Sequence, residues 1–380
     1  MTGGAARLRR FFVSIKALLS KLAFARRRER VPLSFMNQKS LAILVLLFSF
    51  AISGHAEWTV QAVEKPDHPG KAVEVKAYGK PVARLVYGDG QKKPYLHVYG
   101  EAGELLTNSG LSADGKDSGG FPHHRGIYIG WNKITSNLGS QDLWHLNSKP
   151  APQMVVSEFV KQTGGKDSAT IVARIDWRAN KKDDKGSDLL ISETRTLVIS
   201  KPDGKRTQVD AHFTLQAARD LELGGDLQHA GIHFRASNEV NTRAKETSYL
   251  ADPTNRETKG KDFGASAVKP KAKAPAQATQ KSELKWCRLL FPIGSRWYSA
   301  IELNSPGNPS EELSGRDYGR FGYFFKKKLQ AAETLDLDYR FIIAPEEAPA
   351  SKPAPSPEQA AKATAQAQAD YAAFVKSLAK

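Results

Sequence analysis

Cysteine is nearly absent from this sequence: Cys287 is the only one among 380 residues. One thiol forms no internal disulfide, so the fold must depend on a packed hydrophobic core. A chain of this length can build that core as one large domain or as two smaller ones. Cys287 lies in the apolar stretch LKWCRLLFPI, where packing as a small hydrophobic side chain is favoured over reactivity.

Long apolar runs are also missing. The segment at residues 41–52 is apolar but shorter than a membrane-spanning helix. It follows Met36 and Lys39 and precedes Ser-Gly-His-Ala, which is the order of a basic flank, an apolar stretch and small residues in a secretory signal peptide. We therefore expect cleavage near Ala56, export to the periplasm or the extracellular space, and no membrane in the mature form. An uncleaved anchor helix is the alternative.

The basic charge is concentrated in the first residues. The formal net charge is +16, but residues 1–56 hold ten Lys or Arg and one acidic residue, which leaves 46 basic and 39 acidic residues and a net charge of +7. The arginine-rich segment 1–35 predicts an upstream start codon assigned in error, with an unusually long basic flank as the alternative. No basic face with interleaved aromatics follows, so no nucleic-acid partner is predicted.

Amphipathic helices are nearly absent between residues 57 and 344. Apolar and polar residues alternate there with the period of a half-buried strand, and turn residues such as Pro202-Asp203-Gly204 separate the alternating segments. More than ten strands with short turns predict an all-β fold, a large antiparallel β-sandwich of the supersandwich type, with a closed barrel as the second choice. The alternating segments are residues 71–78, 82–87, 170–177, 189–199, 207–215, 297–303 and 334–343.

Composition divides the rest of the chain. Residues 265–283 lack large apolar side chains and predict a disordered insert within the sandwich domain, 57–344. Residues 345–357 form a Pro/Ala linker, and residues 358–380 are expected to form a C-terminal helix. Ser356 and Gln359 have the spacing of a capping box, with a proline between them at the first helical position. We expect this helix to be a loosely attached tail.

The stretch GGFPHHRGIYIGW, residues 119–131, places His123, His124 and Arg125 directly before an apolar, aromatic strand. In an ideal strand, His123 and Arg125 would share one face and His124 would point to the other, so both imidazoles reach one ligand only if the junction is twisted or bulged. The spacing His-x-Arg occurs again at His233 and Arg235, in LQHAGIHFR. We expect these two segments to meet in one cleft.

A third segment, QDLWH, adds Asp142, Trp144 and His145. Cationic donors beside flat aromatic rings suit a sugar or an acidic sugar, and histidine adds a group that exchanges a proton near neutral pH. We therefore predict three catalytic histidines and a set of substrate-binding residues. The catalytic residues are His123, His124 and His233, and the substrate-binding residues are Arg125, Trp131, Asp142, Trp144, His145 and Arg235.

Other chemistries have weaker support. Two histidines with a third His or Asp142 could bind zinc, iron or copper, but the spacing matches no standard metal motif and flanking arginines repel a cation, so no cofactor is expected. The sequence has no nucleophile elbow and no phosphate-binding glycine loop. Glu193 and Glu302 are strand carboxylates open to acid–base work, although a salt bridge to a neighbouring strand is favoured for Glu193.

Several of these motifs resemble a family of secreted bacterial proteins labelled methane oxygenase PmoA, or PmoA-like. The resemblance covers about residues 71–343 and is carried by FPHHRGIYIGW, DLWH, ETRTLVI, GIHFR, NSPGNP with RDYGRFGYFF, and TLDLDYRFII. Asn308, in NSPGNP, and Arg316, in RDYGRFGYFF, complete the predicted substrate-binding set. The family is similar to galactose-mutarotase-like β-sandwiches, which implies carbohydrate binding or processing, whereas its label implies an oxygenase.

Three functions therefore stay open. The first is an exported carbohydrate-binding or carbohydrate-processing protein that moves a proton on a sugar, the second is a non-catalytic sugar-binding module, and the third is a His-ligated metal oxygenase. The sequence does not indicate which sugar is bound, whether the protein is an enzyme, or its oligomeric state.

Overall fold

The alternating segments form antiparallel strands in the computed structural model. The structure describes residues 57–379 except 64–69, 89–90, 92, 113–115, 117, 146, 148, 227, 253–283, 310–311 and 351–354. The predicted signal peptide and the whole of the predicted insert therefore lie outside the described residues. Within the described part, the strands build two eight-stranded sheets and one four-stranded sheet.

The first sheet contains the start of the domain and both His-x-Arg segments. In spatial order its strands are β1 (Trp58–Val63), β2 (Lys71–Ala77), β3 (Lys80–Tyr87), β4 (Tyr95–Val98), β5 (Ile127–Trp131), β13 (Ala230–Arg235), β18 (Arg320–Phe324) and β17 (Glu312–Arg316).

The second sheet contains the longest strands. In spatial order these are β14 (Ser248–Ala251), β15 (Trp286–Ile293), β16 (Arg296–Asn304), β20 (Thr334–Glu346), β11 (Thr207–Ala217), β10 (Leu189–Ser200), β9 (Ser168–Arg178) and β8 (Gln153–Gly164). The small third sheet has the order β19 (Lys327–Leu329), β12 (Leu221–Gly224), β6 (Lys133–Ser136) and β7 (Gly139–Gln141).

One hydrophobic core joins the two large sheets. Every second residue of the strands points into it, as the period of a strand requires. The first sheet contributes side chains such as Val75, Leu85 and Ile129, and the second contributes Ile175, Phe213 and Leu337. Removing each such side chain from water stabilises the fold by about 1.5–3 kcal/mol. The architecture is the predicted antiparallel β-sandwich, not a closed barrel.

Helices are few in the described residues. A short helix α1 (Glu239–Thr242) and a 3-10 turn (Ala244–Glu246) follow β13, and helix α2 (Pro357–Leu378) follows the last strand. β20 extends through Glu346, so regular structure runs slightly beyond the predicted domain end at 344. No helix in the described part of the chain is long and apolar enough to cross a membrane.

Helix α2 packs on the outer face of the second sheet, which corrects the expectation of a loosely attached tail. Phe374 is 2% exposed and shares a hydrophobic cluster with Trp286 and Ile301. Asp370 Oδ2 accepts from Arg206 Nη1 at 2.8 Å, and this ion pair ties the helix to the turn before β11. The apolar stripe of the helix is therefore used within the chain.

Ser356 caps helix α2 as predicted. Its Oγ accepts from the Gln359 backbone N–H at 3.2 Å, and Gln359 Oε1 accepts from the Ser356 N–H at 2.9 Å. We expect Ser356→Ala to lower the stability of the helix by about 1 kcal/mol, because an N-terminal N–H loses its acceptor. Hydrogen exchange of the α2 amides measures this loss. Ser356→Asp keeps an acceptor and should retain protection; equal exchange in both variants would contradict the prediction.

Candidate functional site

The site lies on the outer face of the first sheet, the side away from the core. In β13, Ile232 and Phe234 pack in the core, so the alternating residues His233 and Arg235 point outward. Tyr128 of β5 is the cross-strand partner of His233, and paired residues share a face. The second His-x-Arg segment is thus placed on this outer face by strand geometry alone.

The first histidine segment is a turn and not a strand. β5 begins only at Ile127, and the His124 N–H donates to the Phe121 carbonyl at 3.0 Å. The turn brings the rings of His123 and His124 together, with centroids 4.3 Å apart. Gly126, at φ 53°, lets the chain pass β4, because a Cβ there would lie 2.2 Å from the Leu96 carbonyl oxygen.

The QDLWH segment forms an Asx turn that orients His145. Asp142 Oδ1 accepts from the backbone N–H groups of Trp144 and His145, at 2.9 and 2.8 Å. The other carboxylate oxygen accepts from His145 Nδ1 at 2.8 Å. Burial alone would raise the pKa of Asp142, but these hydrogen bonds lower it. Asp142 is therefore a carboxylate that fixes the ring of His145.

His229 repeats this arrangement, and the sequence prediction omitted it. Its Nδ1 lies 2.7 Å from Asp226 Oδ1, and its ring centroid lies 4.6 Å from that of His145. The sequence did hold a signal: residues 142–145 and 226–229 both read Asp-Leu-x-His. Two such segments separated by several strands meet at one place.

Five imidazoles therefore lie together on the outer face. The ring of His123 is 4.6 Å from that of His145, and the ring of His124 is 6.3 Å from that of His229. We call this group the histidine cluster: His123, His124, His145, His229 and His233. It confirms the geometric expectation that His124 and His233 share one side of the molecule, since both rings contact the Trp144 ring.

The inner histidines of the cluster are neutral. Burial lowers the pKa of His123 to about 3, with help from the nearby cation Lys93. Burial also lowers the pKa of His124 well below its usual value, and Arg320 adds to the shift. Burial likewise lowers the pKa of His229, although Asp226 opposes it. At neutral pH these rings are therefore uncharged, and each keeps a lone pair on one nitrogen.

Lys93 is a second site residue that the sequence prediction missed. Its side chain is nearly fully buried, its Nζ donates to the Trp144 carbonyl at 2.8 Å, and it lies 4.1 Å from the Tyr128 ring centroid. Burial lowers its pKa well below the usual value, and the Arg125 charge adds to this shift. The motif QKKPYLH gave no sign of the role, because the contact depends on a distant turn.

The predicted catalytic role of His233 is corrected. The ring is fully buried, its Nε2 lies 2.7 Å from the Ala230 carbonyl oxygen, and its Nδ1 lies 3.0 Å from Arg320 Nη1. Both nitrogens are thus occupied, so the ring has no site left to exchange a proton with a ligand. Burial lowers its pKa well below the usual value. His233 instead holds Arg320 in place.

The two predicted stacking residues also have structural roles. Trp131 shares the inward face of Ile129, packs in the core, and donates from Nε1 to the Phe325 carbonyl at 3.1 Å. Trp144 does lie in the site but is fully buried, and its Nε1 donates to His124 Nε2 at 3.2 Å. Neither ring is open to a sugar. The half-exposed aromatic ring at the site is Phe121, which the prediction did not include.

The remaining predicted ligand-binding residues divide between the site and other regions. Arg125 holds the loop, because its Nη1 donates to Gln91 Oε1 at 2.5 Å and its Nε donates to the Pro122 carbonyl at 2.9 Å. Asn308 holds a turn against β20 through the backbone of Asp338 and is corrected to a structural role. Arg316 and Arg235 lie on β17 and β13, two strands that flank β18 in the first sheet.

A metal does not fit the side chains that are present. No group of three or more His, Cys, Asp or Glu side chains in the described ranges is arranged to hold a metal ion. Lys93, Arg235 and Arg320 also place positive charge beside the imidazoles, which opposes a cation. We therefore derive no chemistry through a metal, and the oxygenase alternative has no support from the geometry.

The chain belongs to a family of unknown function, DUF6807, whose sequence profile matches residues 72–355. No curated protein matches the sequence. The family match carries no activity, so the resemblance to proteins labelled methane oxygenase stays a prediction. What the site does must be argued from its geometry.

Several solved structures are similar at low identity. Slr1438 from Synechocystis sp. PCC 6803 is 12% identical with a TM-score of 0.39, and the match covers 75% of this chain and 99% of that one. A galactose mutarotase-like protein from Clostridium acetobutylicum is 10% identical with a TM-score of 0.34, covering 76% and 99%. A mutant of heparan sulfate lyase HepC from Pedobacter heparinus is 10% identical with a TM-score of 0.35, covering 81% of this chain and 41% of that one. The chain thus spans about two fifths of that lyase, and these likenesses concern the fold alone.

Proposed function

We propose that this protein is exported and processes a carbohydrate by moving a proton between the sugar and a pair of histidines. The observation that carries the proposal is the meeting of two His–Asp pairs, His145 with Asp142 and His229 with Asp226, whose rings lie 4.6 Å apart. The pairs come from turns that follow different strands. Their side chains are partly open to solvent, at 22% for His145 and 24% for His229.

The carboxylates set the chemistry of the two rings. A carboxylate accepts only, so Nδ1 of each ring donates to its Asp, and Nε2 of the neutral ring keeps a lone pair. That nitrogen can take a proton from a sugar carbon or hydroxyl, and the Asp stabilises the imidazolium that forms. His145 and His229 thus replace His233 as the proposed proton carriers, with His123 and His124 as neutral neighbours.

Two facing histidines can act at two positions of one ligand. One neutral ring takes a proton from the ligand, and the imidazolium that forms returns a proton to it, which changes the configuration or opens the ring of a sugar without a metal. Lys93 and the arginines behind the cluster stabilise negative charge that develops on an oxygen. The exposed ring of Phe121 stacks on Tyr318 at 4.6 Å and supplies a flat surface for the C–H face of a sugar.

Solvent exchange tests the proposal without knowledge of the product. Candidate monosaccharides and oligosaccharides are incubated with the protein in D2O, and proton NMR follows deuterium incorporation and anomer exchange. We expect exchange with at least one sugar, and we expect His145→Asn or His229→Asn to slow it by about 100-fold or more, while sugar binding is kept.

His212→Asn is the matched control. His212 Nδ1 lies 2.8 Å from Asp338 Oδ1, so it is also a His–Asp pair, but it lies on the second sheet. Its variant should exchange protons at the wild-type rate. Binding of a sugar with no exchange by the wild-type protein would favour the non-catalytic module, for which the stacked rings of Phe121 and Tyr318 are the supporting observation. No binding of any sugar would contradict both functions.

A further inference from the structure

We infer that three arginines on the outer face of the first sheet form a subsite for an oxyanion, the carboxylate or sulfate group of a charged sugar. The sugar in this statement rests on the proposed function, whereas the anion is argued from the arginines themselves. The residues are Arg235 of β13, Arg320 of β18 and Arg316 of β17.

The three arginines stand in one row across neighbouring strands. Arg316 is the cross-strand partner of Arg320, and Arg320 is the partner of Arg235. Directly paired residues of antiparallel strands point to the same face, and like charges placed so are destabilising. The adjacent guanidinium groups of Arg235 and Arg320 are therefore a cost to the fold unless an anion lies against them.

The two inner arginines have no acidic partner within the described part of the chain. Arg235 is 0% exposed and donates from Nη1 to the backbone carbonyls of Ala236 and Tyr318. Arg320 is 1% exposed and donates to the His233 ring at 3.0 Å and to Ser314 Oγ at 3.2 Å. All of these acceptors are neutral, although buried charges in proteins are usually paired.

Buried arginines elsewhere in the chain do follow that rule. Arg195 is 3% exposed and pairs with Glu193 at 2.5 Å, and Arg288 is 5% exposed and pairs with Glu346 at 2.7 Å. Arg235 and Arg320, whose acceptors are neutral, therefore differ from these two buried arginines, which pair with carboxylates. Burial lowers the pKa of Arg235 to about 10, so the guanidinium is still protonated at neutral pH.

The outer face of the first sheet also holds several buried hydrogen-bond donors that have no acceptor in the described residues. Nε and Nη2 of Arg235 and Nε of Arg320 have none. Nor does Nδ1 of His124, which carries the proton of this neutral ring because Nε2 accepts from Trp144. The Tyr128 hydroxyl is also without a partner in the described residues, and the Tyr128 ring centroid lies 6.2 Å from that of His124.

The unpaired guanidinium donors indicate the chemical class of the ligand. A carboxylate or sulfate offers two or more oxygens that accept from the Nε and Nη2 edge of one guanidinium, whereas a neutral sugar hydroxyl offers neither the charge nor the fork geometry. A cation is excluded by the same charges. The subsite therefore fits an anionic group on the ligand, beside the histidines that would exchange its proton.

The ligand must move an aromatic cover to reach Arg235. The Tyr318 ring lies 4.9 Å from the Arg235 guanidinium carbon, and the half-exposed ring of Phe121 stacks on Tyr318. Phe121 has a φ of 61°, a conformation that costs a non-glycine residue energy. Gly119 and Gly120 precede it and have the backbone freedom of glycine, and the subsite requires the Phe121 ring to move.

Binding of defined probes tests the subsite. Calorimetric titration of the full protein at constant ionic strength compares glucuronate, glucose and inorganic sulfate. We expect glucuronate to bind about ten-fold or more tightly than glucose, and sulfate to compete with glucuronate. Arg235→Met should lower the affinity for glucuronate about ten-fold or more, and by a larger factor than it lowers the affinity for glucose. Arg316→Met, at the outer end of the row, should weaken glucuronate binding less.

Arg178→Met is the control for the loss of one positive charge, because Arg178 is a partly exposed arginine on β9 that pairs with Asp176 and Asp188. It should bind glucuronate as the wild type does. The melting temperature of Arg235→Met in chloride shows whether the variant folds; a melting temperature near the wild-type value with anion binding lost supports the subsite. If Arg235→Met does not fold, the Arg316→Met titration decides in its place.

Three outcomes separate this inference from the proposed function. Equal affinity for glucose and glucuronate overturns the subsite and leaves the sugar-processing proposal standing. Binding of sulfate and glucuronate without binding or exchange of any neutral sugar supports the subsite and counts against a neutral substrate. Retained glucuronate affinity in Arg235→Met and Arg316→Met overturns the subsite whatever the protein does to sugars.

Discussion

Replacing Glu302 with glutamine is expected to stabilise the fold relative to the wild-type protein, by a margin that grows as the pH rises above the ordinary carboxyl pKa. Glu302 lies on β16 in the core between the sheets and is fully buried, and neither carboxyl oxygen has a hydrogen-bond partner in the described residues. Burial therefore raises its pKa well above the ordinary value of 4.5. The folded protein keeps the carboxyl protonated.

The sign of the pH effect follows from proton counting. Above about pH 4.5 the unfolded chain releases the Glu302 proton while the folded protein keeps it, so the folded state holds one more proton. The contribution of Glu302 to the free energy of unfolding therefore falls as the pH rises, by about 1.4 kcal/mol for each pH unit until the pH reaches the folded-state pKa.

Urea unfolding of wild type and Glu302→Gln at several pH values measures the effect. The glutamine has no proton to lose, so the stability of Glu302→Gln relative to wild type should increase as the pH rises. Glu158→Gln serves as the control, since Glu158 is an exposed carboxylate on β8. Two curves with the same pH dependence for Glu302→Gln and wild type would contradict a protonated carboxyl in the core.

A second large effect is expected at the buried ion pair of β10. Glu193 and Arg195 are 1% and 3% exposed, and Glu193 Oε1 accepts from Arg195 Nε at 2.5 Å. Glu193 Oε2 also accepts from Trp177 Nε1 at 2.6 Å. We expect Glu193→Met alone to destabilise the fold by about 3–5 kcal/mol, because the Arg195 charge is left buried without its partner.

The double variant distinguishes charge from packing. Glu193→Met with Arg195→Met removes both charges and should cost much less than the single variant, leaving chiefly the lost Trp177 hydrogen bond of about 1 kcal/mol. The matched control is the exposed pair Arg174 and Glu158, whose double replacement should change stability by less than about 1 kcal/mol. Additive losses for the two single variants of the buried pair would show that their interaction is not the cause.

Glu193 shows what could be predicted from the residues near it in the sequence. The alternation in ISETRTLVI correctly predicted a strand. Glu193 does form a salt bridge, but its partner is Arg195, two residues away on the same strand and face, and not a residue of a neighbouring strand. The two-residue period of a strand predicts which residues share a face. It does not predict that this face of β10 is the inner one, because that depends on where the first sheet packs.

The same limit explains the prediction for Trp131. It follows the histidine motif closely along the chain, so proximity suggested a role in the site. In β5 it shares the face of Ile129, which points into the core, while the histidines stand in the preceding turn. Nearness in sequence is a poor guide across a strand boundary, because consecutive strand residues point to opposite faces.

The sequence by itself determined the features that depend on neighbours along the chain. Strand alternation, the turns between strands, the capping box at Ser356 and the spacing of the Asp-x-x-His pairs are all local, since a period or a hydrogen bond over a few residues sets them. They were sufficient for the all-β sandwich and for the terminal helix, whose range of Pro357–Leu378 closely matches the predicted one.

Only the tertiary structure decided which of these features form the site. It brought Lys93, the turns at His145 and His229, and the strand residues Arg235 and Arg320 to one face of the first sheet. It also placed His233 between two hydrogen-bond partners and the helix against the second sheet. The physical reason is that these contacts depend on strand order and register, which are set by how the sheets pair and pack and not by the residues within any one segment.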